Sequence, residues 1–362
     1  MSDFDIAITG AGMAGASLAA ALAPHRSVLL LEGEDQAGYH STGRSAAFWD
    51  ESYGGPGVQP LTSASFPALS EGGFLRPRGA LHIAQSGQQQ DVAAMLDAFA
   101  DSPVRMEELD RGGIEERVPG IRAGWDHGVW EPDCRDIDVG SLHAHYLSAS
   151  ARAGATLQTR ASLRQAQWSG DEWLIETAAG SFSAALLVNA AGAWADAVAL
   201  ASGVRRCGIR PFRRSIAQIR TRPAASADLP LILGLDGSFY FKPDAGGRLW
   251  LSPHDEVPSD PCDAAPEEIA IATAIARFEE VVDWTVETVE RRWAGLRSFA
   301  PDRLPVIGRA PDNDAFFWFA GQGGFGIQTA PAAAALAAYL ILGSGKMPDA
   351  IEPARYSPAR FA

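Results

Sequence analysis

Cysteine is scarce in this chain. Cys134, Cys207 and Cys262 are widely spaced and odd in number across 362 residues. That excludes a disulfide-stapled scaffold and a sequence-local zinc site, and it suits a reducing compartment. Positive charge is also short: 30 basic side chains face 44 acidic ones, for a net charge of −14. Such a surface repels phosphate backbones and anionic lipid heads, so no nucleic-acid partner is expected. The opening MSDFDIAITG has neither a basic region nor a cleavable apolar stretch, and no signal peptide is expected there. Long hydrophobic runs are few. Residues 327–343 are largely apolar over 17 positions but carry Gln328, Thr329 and Pro331 in their first turns. That is at the short limit for a membrane span, so a buried helix is expected and no integral membrane segment. There is no internal repeat, and low complexity is confined to alanine-rich stretches.

What remains is an ordinary globular composition, 47% hydrophobic and 20% charged. The length predicts two or three domain-sized units. Phe4–Thr9 reads as a short buried strand. Gly10-Ala11-Gly12-Met13-Ala14-Gly15 follows as G-x-G-x-x-G, then an Ala/Leu-rich helix over 16–23 and a second strand over 27–31 that ends at Glu32. In a βαβ dinucleotide site Gly10 permits the tight turn, Gly12 lets backbone approach a pyrophosphate, and Gly15 lets helix and strand pack closely. The helix start presents free N–H groups to phosphate. Glu32, 22 residues after Gly10, is placed to accept hydrogen bonds from a ribose. This motif alone fits NAD and FAD equally.

A second glycine-rich turn narrows the choice. Residues 316–320 read as a strand that breaks into Gly321-Gln322-Gly323-Gly324-Phe325-Gly326 before the long alanine-rich helix. Four glycines in six residues make a second anion-friendly terminus. Two such termini imply a ligand with negative character at both ends. FAD fits, with its pyrophosphate at the first and the reduced flavin's N1–C2=O edge at the second. A third apolar run, 184–194, closes in small residues and reads as a buried strand turning beneath something that needs close approach.

The blocks GAGMAGASLA, GYHSTGRSAA, LLVNAAGAWAD, FYFKPDAG, WAGLRSF and GQGGFGIQT run from residue 10 to about 329. With them the chain resembles the FAD-dependent amine oxidoreductases of the D-amino acid oxidase (DAO) superfamily. Within that group it is most similar to bacterial D-arginine dehydrogenase and its D-amino acid dehydrogenase relatives. The resemblance implies that FAD is held by Gly10, Gly12, Ala14, Gly15, Glu32, the loop Ser41, Thr42, Gly43, Arg44, Ser45 and Ala46, and by Ala191, Gly192 and Trp194. It adds Gly323, Gly324, Gly326, Ile327 and Gln328, with an adenine contact near Ala161 and Ser162 after a strand over 156–160. In the loop, Gly43 gives backbone freedom while the hydroxyls and Arg44 offer donors to flavin and phosphates; a surface salt bridge is the other reading of Arg44. Some relatives attach FAD through a cysteine near the WAGLRSF block. Residues 293–302 contain none, so the flavin is expected to be non-covalent.

The implied reaction is oxidative deamination of a D-amino acid. Hydride passes from Cα to flavin N5, and the imine is hydrolysed to a 2-oxo acid and ammonia. Arg297 offers a bidentate fork for the substrate carboxylate that lysine cannot supply. Tyr240, Arg214 and the lid-like Tyr53 complete the expected catalytic set; a structural ion pair for Arg297 and core packing for Tyr240 are the bland readings. Phe48, Asp50 and Ala80 fall where the relatives shape their side-chain pocket. Ala80 replaces an acid that receives a cationic side chain, with His82 two residues on, so the pocket is expected to lean apolar. Asp50 could pair with a cationic substrate or with Arg78. Trp250 aligns with the lysine that sarcosine-type oxidases place beside the flavin, which favours a dehydrogenase, although Lys242 is near in sequence. The alternative is a glycine/sarcosine-type amine oxidase producing hydrogen peroxide; a flavin-binding sensor without turnover is the third.

The expected fold is α/β, a Rossmann-like FAD-binding domain of the glutathione-reductase type with a mixed-sheet α+β substrate domain. The cofactor blocks scatter, so the FAD domain is expected over 1–50, 138–205 and 300–362, and the substrate domain over 51–137 and 206–299. Helices are expected over 90–118 and 266–282, and strands over 231–241 and 249–253. A small amino-acid substrate and a quinone electron acceptor are the implied partners. The expected location is cytoplasmic, with peripheral contact at the inner membrane.

Overall fold

The computed structural model describes residues 2–362. In the strand Phe4–Thr9 the stretch Ile6–Ile8 is apolar because both of its faces are covered, while Asp5 stays exposed. Ile6 and Ile8 pack with Leu18, Leu22 and Leu336 on one side, while Ala7 meets Trp173, Leu187 and Trp318 on the other. Its parallel neighbours are Val28–Leu31 and Gly180–Asn189. Thr156–Gln158 lies beyond the former and Asn313–Ala320 beyond the latter, again parallel. Antiparallel Trp173–Thr177, Leu163–Trp168 and Val306–Ala310 complete an eight-stranded sheet. The helices Met13–Leu22 and Ala330–Leu342 cover one face together.

Close approach is what the first motif secures. Gly10 has φ +99°, and a Cβ there would stand 2.5 Å from the Ala190 carbonyl oxygen. A Cβ on Gly15 would stand 1.8 Å from the Gly10 carbonyl oxygen. The turn after the first strand therefore folds onto its own helix with no room for a methyl group.

A second, ten-stranded sheet is centred on the long antiparallel pair Arg210–Arg222 and Thr285–Phe299. Alternation divides its residues. Ala217, Ile219, Ile232, Phe241, Leu249 and Leu251 face the helix Glu268–Val281. Ile216, Leu231, Leu233, Tyr240 and Ala80 form a separate cluster with Phe48. A small third sheet pairs Phe48–Trp49 and Leu75–Pro77 with Arg135–Ile137. Phe48–Trp49, expected with the cofactor portion, is thus tied to neither large sheet. The chain passes between the two large sheets several times, and one of these crossings takes a single residue, Gly321 (φ +71°), which separates Asn313–Ala320 from Gln322–Gly323.

Several boundaries shift from the sequence reading. The apolar stretch at 327–343 becomes the helix Ala330–Leu342, because 325–329 is spent on a turn. Among the described residues no helix is long and apolar enough to cross a membrane. The excursion at 90–118 holds two helices, Gln89–Ala98 and Arg111–Arg117, with the strand Glu107–Asp110 between them. The strand expected over 156–160 stops at Gln158, and Arg160 takes φ 53°. The run 231–241 breaks into Leu231–Gly234 and Tyr240–Asp244, paired as a hairpin.

The Gly10–Gly15 contact gives the first prediction. Gly15→Ala should cost about 3 kcal/mol through forced displacement of the turn, read as a lowered Tm together with weaker retention of FAD. An unchanged melting curve would mean the two backbones are farther apart than described.

Candidate active site

One cavity of about 530 Å³ opens along the junction of the two large sheets. At one end it is lined by Glu32, Gly33, Ala161 and Ser162, and then by Gly10, Gly12, Ala14, Ser41 and Thr42. Farther along come Ala191, Gly192 and Trp194, and at the other end Arg214, Gly295, Arg297 and the turn Gly323, Gly324, Gly326 and Ile327. Every one of the expected cofactor blocks therefore reaches a single space.

The chemistry of the lining fits FAD. Glu32 accepts the backbone N–H groups of Ala11 (3.0 Å) and Glu34 (3.0 Å), which fixes its carboxylate at the wall with lone pairs left for a ribose. Thr42 Oγ1 accepts the Met13 N–H at 2.9 Å, pinning the flavin loop to the first helix. A Cβ on Gly192 would meet nothing within 4 Å and one on Gly12 only Thr42 Oγ1, so bare backbone faces the space. Thr329 N–H bonds back to the Phe325 carbonyl at 3.1 Å. The turn before the last helix is thus already helical, with Gly326, Ile327 and Gln328 supplying its first N–H groups.

At the far end the polar groups are cationic and incompletely paired. Arg297 donates to the Tyr53 hydroxyl. Arg214 is buried; its Nε donates to the Asp255 carbonyl (2.7 Å) and its Nη2 to Glu256 (3.1 Å), while Nη1 has no partner. Burial, and then the neighbouring Arg297, pushes the Arg214 guanidinium down to about 10. Tyr240 Oη and Trp250 Nε1 are also buried without a partner. Burial raises the Tyr240 phenol, with both arginines pulling the other way. Aromatic rings pack behind this end without lining the cavity themselves. Phe48 lies 5.2 Å from the Tyr53 ring and 6.4 Å from that of Tyr240, and Tyr53 lies 5.8 Å from Phe325. A Cβ on Gly324 would sit 2.3 Å from Tyr53 Oη, so only glycine lets the turn pass the tyrosine–arginine pair.

Some residues take other places than expected. Arg44 touches the cavity, but its guanidinium is engaged by Asp263 and by the carbonyls of Ala264 (3.0 Å) and Ala294 (3.1 Å). Asp50 is fully buried beside Glu131, away from the cavity, and Arg78 pairs with Asp136 (2.6 Å), not with Asp50. Gln328 is buried with its side chain turned away from the cofactor space, onto Asp50, Tyr53 and Thr62. Gly15 and Gly43 support the walls from behind: a Cβ on Gly43 would approach the Gly38 carbonyl oxygen to 2.8 Å. Ala80 and Phe48 belong to the aromatic cluster behind the clamp. Lys242 is paired with Asp136 at 2.7 Å and stands 5.3 Å from the Trp250 ring.

Other contributors carry no local signal. His143 bonds the Ala11 carbonyl at 2.9 Å and packs where a Cβ on Gly38 (φ +79°) would go. His40 bonds Glu34 at 2.8 Å and packs 4.7 Å from the Trp194 ring. Each partner is set by the fold rather than by sequence spacing.

The family model described as FAD dependent oxidoreductase (DAO) matches residues 5–340. The chain belongs to this family. Its cofactor is FAD. A glycine oxidase of Geobacillus kaustophilus is 26% identical to this oxidoreductase over 364 residues, 93% of each chain. A glycine oxidase of Pseudomonas aeruginosa is 29% identical over 248 residues, 67% of this chain and 65% of its own. Among solved structures, glycine oxidase from G. kaustophilus superposes with TM-score 0.86 at 22% identity, over 99% of both chains. L-proline dehydrogenase from P. horikoshii does so with TM-score 0.86 at 20% identity, over 99% of this chain and 97% of its own. At such identities the structural likeness establishes the fold alone.

The buried acid gives the second prediction. Asp50 titrates well above its ordinary 3.8, first through burial and then through Glu131 beside it. The folded form thus binds an extra proton, and stability present below the unfolded value is lost as pH rises through the folded one. Asp50→Asn removes that dependence. Its Tm advantage over the parent should grow between about pH 4.5 and about pH 8, and an advantage independent of pH would refute the protonated state.

Proposed function

We propose that this oxidoreductase oxidises a small or apolar amino acid, D-configured where the α-carbon is chiral, the Cα hydrogen leaving as hydride and the amine nitrogen losing a proton as C=N forms. The resulting imine takes up water to give a 2-oxo acid and ammonia. The observation that carries the reading is the unpaired Nη1 of buried Arg214 near the Arg297–Tyr53 contact, one buried and one half-buried guanidinium lining the same end of the cavity. In this reading the eight-stranded sheet carries the cofactor and the ten-stranded sheet carries the substrate.

Bound FAD supplies the two-electron acceptor, held without a covalent link. The chain supplies placement. Gly10, Gly12, Ala14, Glu32, Ser41, Thr42, Ser45, Ala46, Ser162, Ala191, Gly192 and Trp194 would hold the nucleotide and flavin, with the 323–327 backbone at the ring edge. Arg297 would grip the substrate carboxylate with its planar fork, helped by the Tyr53 and Tyr240 hydroxyls and by Arg214 Nη1. Phe48, Ile216 and Trp250 would exclude water around the amine, which favours its neutral, reactive form. Among the described residues the acids at the cavity wall are Glu32 and Glu34, at the end far from Arg297. Nothing there would receive a guanidinium side chain, so an apolar side chain is preferred.

For the electron acceptor the reading favours a dehydrogenase, with a quinone or similar carrier. Lys242 stands over the Trp250 ring but is tied to Asp136, which it shares with Arg78, and it does not line the cavity, so it is not presented there to stabilise superoxide. The second reading is a glycine or N-methylglycine oxidase that releases hydrogen peroxide. The glycine oxidases that align with this chain support it, and the same clamp would serve.

Anaerobic mixing of the FAD-loaded enzyme with a panel of D- and L-amino acids, glycine and N-methylglycine tests both. Bleaching by small apolar D-amino acids, with slow return of colour in air, supports the first reading. Fast return with peroxide after glycine or N-methylglycine supports the second, and a flavin that no amine bleaches refutes both. Arg297→Met should raise KM by about a hundredfold, as expected when a buried charge-assisted pair loses one partner, with FAD still bound. Unaltered KM would remove Arg297 from the clamp.

A further inference from the structure

The Arg297–Tyr53 contact needs Tyr53 to stay in place, yet Tyr53 sits on a short irregular segment between Phe48–Trp49 and the helix Gln59–Glu71. Two groups of side chains hold that segment, one from each side. On the cofactor side is Gln328, only one residue beyond Ile327 of the cavity wall. Its Oε1 accepts the Asp50 N–H at 3.2 Å. Its Nε2 donates to the carbonyls of Asp50 (3.2 Å) and Tyr53 (3.1 Å) and to Thr62 Oγ1 (2.9 Å). One carboxamide thus ties both ends of the Asp50–Tyr53 turn to the turn that borders the cofactor space.

On the other side are the strands of the ten-stranded sheet. Asp50 Oδ1 accepts the Ser52 N–H at 3.2 Å, and the Tyr53 N–H closes the turn onto the Asp50 carbonyl at 3.3 Å. Ser52 Oγ donates to Glu131 Oε1, which also bonds His82 Nε2 at 2.9 Å. Asp50, Glu131 and His82 each place a side-chain polar atom within 4.8 Å of the others. His82 and Glu131 stand on adjacent antiparallel strands, paired through Ala80–Glu131 and His82–Val129, so the sheet sets their spacing. None of these side chains lines the cavity, and all are buried. Buried polar groups this well connected are costly to loosen, because any one removed leaves its partners without water or protein in exchange.

We propose that Gln328 and Asp50 are positioning residues that hold Tyr53 against Arg297, so that one buried network sets both the border of the cofactor space and the grip on the substrate carboxylate. The assignment rests on the clamp reading given above. Gln328 acts through the backbone carbonyl of Tyr53 and Asp50 through the turn. Asp50 acts through hydrogen-bonding shape: its Oδ1 accepts the Ser52 N–H, while Oδ2 stands buried without a partner beside Glu131. The amide of asparagine reproduces that shape.

The test uses FAD-loaded Gln328→Leu, Asp50→Ala, Asp50→Asn, Tyr53→Phe and the double variant Gln328→Leu/Tyr53→Phe. With an amino acid that bleaches the parent flavin, Gln328→Leu and Asp50→Ala should each raise KM about tenfold and change kcat no more than about threefold. Asp50→Asn should stay within about twofold of the parent. If Gln328 works through Tyr53, the double variant should match Tyr53→Phe alone; effects that multiply would overturn the assignment. Hydrogen exchange of residues 48–58 is read in parallel on the same holoenzymes and needs no substrate. Exchange at Ser52, Tyr53 and Gly55 should quicken at least about tenfold in Gln328→Leu and Asp50→Ala, but not in Asp50→Asn. Unchanged exchange in both, or equal quickening in Asp50→Asn, overturns the proposal even if no amino acid proves to be a substrate, an outcome that would count against the clamp alone.

Discussion

The whole cofactor space depends on two backbones lying closer than any side chain permits. Gly10 and Gly15 fold the first turn onto its helix, and Gly10 meets the end of the Gly180–Asn189 strand through the Ala190 carbonyl. Because those contacts leave no volume for a methyl group, the N–H groups at the helix start remain open to a ligand, with Glu32 held beside them. The surrounding layer of Ile8, Leu18, Leu22 and Leu336 keeps that geometry by ordinary close packing.

The second sheet contributes differently, through parity. Along Arg210–Arg222, alternate residues point to opposite sides. Ala217 and Ile219 enter the core under the helix Glu268–Val281, while Arg214 and Ile216 face the junction. Tyr240 and Phe241 divide in the same way. A slip of one residue in this register would bury two aliphatic groups at the junction and send the arginine into an apolar core. The hydrophobic pattern therefore fixes which side Arg214 and Tyr240 take as firmly as it fixes the sheet.

The glycine-centred features were legible in the sequence because their meaning is local: a turn, a helix start and an acid at fixed spacing. The same holds for the strands read over 4–9, 27–31 and 316–320, whose apolar stretches 6–8, 28–31 and 316–320 reflect burial on both faces. The polar assignments were less legible because a charged side chain is defined by what folds against it. Arg44 stands within a cofactor-lining loop, yet its partners Asp263 and Ala264 lie more than two hundred residues away. Asp50 looked free to meet a cation, but Glu131 and His82 arrive from another sheet and enclose it. Gln328 follows a glycine-rich turn and was read with it, although its carboxamide looks the other way. His143 had no signature at all. No spacing rule connects position 143 to the Ala11 carbonyl, which only the packed helix brings within reach.

The crossing at Gly321 has a mechanical consequence. Asn313–Ala320 is held in one large sheet and Gln322–Gly323 in the other, so the strap between them has a single free residue, hemmed by Ile209 and Val306. A strap that short transmits torque instead of absorbing it. Opening the substrate end by swinging one half of the molecule against the other would break strand pairing before it widened the gap. The separation of the two sheets at this point is thus set by one backbone residue and not by side-chain packing.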